Sequence, residues 1–165
     1  LGKQEADLVY FENWMGLIVL GGSSLLMVLT VPWKEIQRFL LFGVFGGLMI
    51  GIVLIFILQN RLGLWNFHRI DLIYLGRIPL LLSAAWTPAE IFFAYFLSRC
   101  QHFWPRLTLL LFIPGVATAI HFIQIWNRML IYRHWSLTNT FLLSLVIHVG
   151  LAYYLHKVHQ IPLLE

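Results

Sequence analysis

Between Gly76 and Tyr95 the chain reads GRIPLLLSAAWTPAEIFFAY, an apolar run interrupted by Arg77, Pro79, Pro88 and Glu90. Whether this run is one helix or two decides the architecture, because a bilayer crossing needs ~20 apolar residues. The local chemistry reads as a stop and a restart. Thr87 suits an N-cap, and Pro88 suits the first helical position, where its missing N–H costs nothing. Glu90, three residues after the cap, can reach back to the cap's own amide. A helix is therefore predicted to start at about 88, with Trp86 just before it at headgroup depth.

The rest of the chain supplies the solvent for that helix. Of 165 residues, 60% are hydrophobic, 16% aromatic and 11% charged, which excludes a soluble domain and leaves one integral membrane domain over 1–165. Apolar runs at about 14–31, 39–59, 107–126 and 136–156 join the one at 88–104 to make five crossings. In lipid each backbone polar group must be satisfied within its own segment or a closed barrel, and runs of this length fit helices. The predicted fold is thus an all-α polytopic transmembrane helix bundle. Residues 67–86, which carry His68, Arg69, Asp71 and Arg77, add one short interfacial, re-entrant or sixth helix.

The net charge of +4 comes from Lys and Arg scattered singly through the connecting segments. That pattern excludes a nucleic-acid partner and suits membrane lipids. Trp126 to Phe141, WNRMLIYRHWSLTNTF, interleaves Arg128, Arg133 and His134 with Trp135, a composition for lipid headgroups. Cys100 is the single cysteine, and His156 and His159 have no carboxylate at ligand spacing, so no metal site is expected. The residues specify no cofactor.

Two constellations point to function. Gly43, Gly47 and Gly51 lie on one helix face and offer a groove for close backbone approach. The partner is a helix of the same chain, with the Gly21–Ser24 patch as the candidate, or a second copy in a homodimer. Ionisable groups at membrane depth mark functional sites by default. Glu90, His121 and His148 are the candidate catalytic groups, and Arg77, Glu90, His121, Gln124 and His148 the candidate ligand-binding set. An Arg77–Glu90 pair becomes possible if the chain breaks between them.

Gly63-Leu64, Glu90-Ile91-Phe92-Phe93 and the Tyr132, His134, Trp135 junction resemble a group of small five-helix membrane proteins of spore-forming Firmicutes. The resemblance covers roughly Gly63 to Lys157 and implies a multi-pass protein of the bacterial cytoplasmic membrane. That group carries a carboxylate on its fourth helix where this chain has Gln124. Pro88-Ala89-Glu90-Ile91 is also similar to the Pro-x-Glu-Glu sequence of membrane-embedded lycopene cyclases, with one of the two acids kept. Three functions stay open: binding or passage of a lipid or small ligand in an interhelical cavity, an intramembrane enzyme with Glu90 as general acid acting on an isoprenoid or lipid, and an accessory subunit acting through the glycine face.

Overall fold

The computed structural model describes residues 13–159 and 161. The order is α1 (Met15–Thr30), α2 (Trp33–Arg61), β1 (Trp65–Phe67), β2 (Tyr74–Leu75), β3 (Ile78–Pro79), α3 (Leu80–Arg99), α4 (Phe103–Trp126), β4 (Leu130–Tyr132) and α5 (Leu137–His159). By length and composition α2 to α5 can cross a membrane, and α1 is a shorter apolar helix of 16 residues. The surface agrees with that solvent: Leu29, Leu41 and Val146 point outward at 74%, 71% and 69% exposure. Glu90, Gln124 and His148 are buried, so the polar groups face inward and the apolar ones outward.

The chain is a helical bundle as expected, but the break is elsewhere. The α3 helix runs from Leu80 to Arg99 through a single turn residue at Ala85, whose backbone is still right-handed helical. Thr87 is therefore not an N-cap, and no side chain of the expected capping box makes a cap hydrogen bond. The start signal comes from outside the helix. Asp71 accepts the Leu82 amide through Oδ2 at 2.9 Å and the Leu72 amide through Oδ1 at 2.8 Å. A carboxylate on a first-turn amide meets the positive end of the helix dipole, which makes the Thr87 signal redundant. Pro88 has no N–H for the Ala84 carbonyl, and this loosens the winding at Ala85 without ending the helix. Ser23 of α1 donates to the neighbouring Ala85 carbonyl at 3.1 Å.

Residues 67–79 consequently form no interfacial or sixth helix. They belong to two short antiparallel ribbons, β1 with β4 (Trp65 opposite Tyr132) and β2 with β3 (Leu75 opposite Ile78). Gly76 supplies the φ of +65° at the first position of the β2–β3 turn. Gln59, at the end of α2, clamps both ribbons: its Oε1 accepts the Phe67 amide at 2.9 Å and its Nε2 donates to the Arg77 carbonyl at 2.8 Å.

Close packing of α2 on α3 positions the site. A Cβ on Gly47 would lie 2.5 Å from the Thr87 nitrogen, and one on Gly43 2.6 Å from Ile91 Cγ1. The glycine face of α2 thus meets α3 of the same chain, not the Gly21–Ser24 patch. Around it α2 widens into six-residue π-helical stretches at Val44–Met49 and Phe56–Arg61.

Candidate functional site

A cavity of about 100 Å³ lies among α2, α3, α4 and α5, and the β1–β4 ribbon closes one end. Glu90 comes from α3, His121 and Gln124 from α4, and His148 from α5. Four of the five residues that the sequence groups as a candidate ligand-binding set thus line one space. Arg77 does not join them. It is exposed on the β2–β3 turn, and its backbone, not its guanidinium, is tied to Gln59.

Glu90 and His148 are 2% and 3% exposed, and His148 Nε2 stands 3.1 Å from Glu90 Oε1. The other ring nitrogen, Nδ1, is 2.7 Å from the Ser144 carbonyl oxygen. A carbonyl oxygen can only accept, so Nδ1 carries a proton. The Nε2–Oε1 contact then holds a single further proton, on the imidazole or on the carboxyl, and the pair is neutral overall in either form. Phe93 packs edge-on against the His148 ring at 5.2 Å and fixes its plane.

At the ribbon end His121 Nδ1 is 2.6 Å from the Tyr132 hydroxyl, which also contacts Thr140 Oγ1. Trp135 Nε1 donates to the same Thr140 oxygen at 2.9 Å. Trp65 sits over this group, stacked on Tyr132 at 6.2 Å and edge-on to His121 at 5.3 Å. Burial pushes the Tyr132 hydroxyl up to about 12, against the opposing Thr140 hydrogen bond.

Several buried polar atoms of cavity-lining residues make no hydrogen bond among the described residues: Trp65 Nε1, Glu90 Oε2 and both side-chain polar atoms of Gln124. Each orphaned group of this kind costs about 1–3 kcal/mol. Together they place unpartnered donors and acceptors on residues that line one small space, whose wall also includes His121, Thr140 and Ser144.

Arg128, Arg133 and His134 are exposed on the α4–α5 junction. Trp135 turns its N–H inward to Thr140 instead of outward to a headgroup. Trp86, expected at headgroup depth, lies inside α3 on the cavity wall, and Trp65 is 5% exposed. Exposed Trp33, Trp104 and Trp126 keep the helix-end positions of a belt. Gln59, Trp65 and Asp71 were not among the candidates. The alternation Trp65-Asn66-Phe67, with its outer residues buried and its centre half-buried, is the signal that could have marked a strand there.

No family model, no curated protein and no solved structure matches this chain.

Proposed function

We propose that this is a multi-pass protein of the bacterial cytoplasmic membrane that binds a small or lipid ligand in the interhelical cavity. One observation carries the proposal: residues of β1, α3 and α4 that line one space hold buried polar atoms with no hydrogen-bond partner among the described residues. Structural polar groups in a bundle are expected to pair with one another. Here Glu90 Oε2, the Gln124 amide and Trp65 Nε1 have no partner among the described residues. Membrane lipids are the surrounding partners, with Arg128, Arg133 and His134 exposed where headgroups would lie.

The test is native mass spectrometry of the protein purified in mild detergent. A non-covalent adduct is expected on the wild type and is expected to be lost in Gln124→Leu and His148→Leu. An adduct that persists unchanged in both folded variants would refute the proposal.

A second reading, an intramembrane enzyme with Glu90 as general acid, is favoured by the single proton held between Glu90 Oε1 and His148 Nε2. It requires Glu90→Gln to abolish turnover while the fold is kept. The accessory-subunit reading is less favoured, because Gly43 and Gly47 pack against α3 of the same chain.

A further inference from the structure

The cavity also has a chemical selectivity, and a second hollow lies beside it. Among the described residues no Lys or Arg lines it, and Glu90, the carboxyl on its wall, is balanced by His148. A phosphate or carboxylate head would therefore sit beside a buried acid with no cation to offset it. A quaternary ammonium would offer no hydrogen bond to Gln124 or Trp65. The orphaned atoms include the Trp65 N–H and the Gln124 amide N–H as donors and the Gln124 carbonyl oxygen as an acceptor. An uncharged head that both accepts and donates, of which a hydroxyl is the simplest, complements this set.

A second hollow, an apolar groove of about 250 Å³, runs between α1 and α4 over α3. Val19 and Leu26 of α1, Ala89 of α3, and Phe112 and Val116 of α4 line it. The one hydroxyl on its wall, that of Ser23, is taken up by the Leu20 and Ala85 carbonyls. Trp86 and Ile120 belong to the walls of both hollows, so these two side chains stand between the cavity and the apolar groove.

We infer that the ligand is an uncharged long-chain alcohol. Its hydroxyl lies among Trp65, Glu90, Gln124 and His148, and its hydrocarbon chain passes Trp86 and Ile120 into the groove. This rests on the cavity being a ligand site. The groove can be filled without disturbing the bundle, because a Cβ added at Gly22 meets nothing within 4 Å. Leucine there also favours the helix more than glycine does.

The test measures binding of 1-hexadecanol, hexadecyl phosphate and hexadecyltrimethylammonium to the full chain in nanodiscs, with 1-hexanol as a short probe. Hexadecanol is expected to bind at least tenfold more tightly than either charged amphiphile. Gln124→Leu is expected to weaken it at least tenfold. Gly22→Leu is expected to weaken hexadecanol at least tenfold while 1-hexanol stays within twofold. Equal or tighter binding of a charged amphiphile overturns the alcohol assignment, while its sensitivity to Gln124→Leu keeps the cavity as a ligand site. Unchanged hexadecanol affinity in Gly22→Leu overturns the path of the chain. If no probe responds to Gln124→Leu, both the alcohol and the ligand site fail.

Discussion

Gly47→Ala and Gly51→Ala differ by four positions on one helix face, and the structure assigns them opposite effects. A Cβ at Gly47 would stand 2.5 Å from the Thr87 nitrogen and 2.6 Å from the Trp86 carbonyl oxygen, both backbone atoms that no rotamer change can move. Reaching an ordinary 3.4 Å contact means parting α2 from α3 by about 0.9 Å, the difference of those two separations. A gap of that size forfeits a quarter to a half of each dispersion contact along the face. Overpacking costs up to ~3 kcal/mol and alanine returns ~1 kcal/mol in helix propensity, a net loss of about 2 kcal/mol. At Gly51 the nearest atom to the new Cβ is the Ser83 carbonyl oxygen at 3.6 Å, an ordinary contact. The propensity gain then stands alone, and the variant should be unchanged or up to ~1 kcal/mol more stable. Reversible unfolding in mixed micelles, followed by circular dichroism during an SDS titration, measures both differences. Equal losses for the two variants, or a Gly47→Ala variant within ~0.5 kcal/mol of wild type, would refute the close α2–α3 contact.

Asp71→Ala should destabilise the protein by about 1–3 kcal/mol in the same assay, because the Leu72 and Leu82 amides lose a charged acceptor, and Asp71→Asn should recover part of that loss. Thr87→Ala should stay within ~0.5 kcal/mol of wild type; a loss of ~1 kcal/mol would restore the capping role that the α3 geometry removes. Tyr132, raised from the usual 10.0 to about 12, gives a pH signature: the folded state holds its proton more tightly than the unfolded chain, so its contribution is fully present below pH 10 and is lost as pH rises toward 12. Tyr132→Phe should flatten the unfolding midpoint over that interval, and an unaltered slope would assign the loss to other groups.

The helices were legible where one physical rule governs the residues. Leu107–Trp126 and the run from Ser136 announce themselves because lipid demands long apolar stretches with self-satisfied backbones. The start of α2 was not. Lys34, Glu35, Gln37 and Arg38 are polar yet helical from Trp33 onward, with Glu35 in a first turn that favours an acid. Composition marks where a helix leaves the apolar layer, not where it ends. The Thr87–Glu90 signature misled for a different reason. Its residue types are those of a cap, but the carboxylate that serves the helix start is Asp71, eleven residues before Leu82, and a local pattern contains no trace of it.

The site follows the same division. Glu90, His121, Gln124 and His148 were visible singly because ionisable and amide groups are costly at membrane depth. Their convergence depends on backbone clearance that no polar residue signals. Gly43 and Gly47 bring α3 against α2, and a Cβ added at Gly46, which lines the cavity with Gly47 and Gly51, would lie 3.8 Å from Glu90 Cγ and 3.2 Å from Leu151 Cδ2. Within the π-helical stretch Val44–Met49 adjacent residues face different neighbours, Gly47 the Thr87 backbone and Gly46 Leu151 of α5. One glycine tract therefore sets how close Glu90 can come to His148 and how much room remains beside them. What looked like a packing motif and what looked like isolated membrane-buried polar residues are two parts of one arrangement.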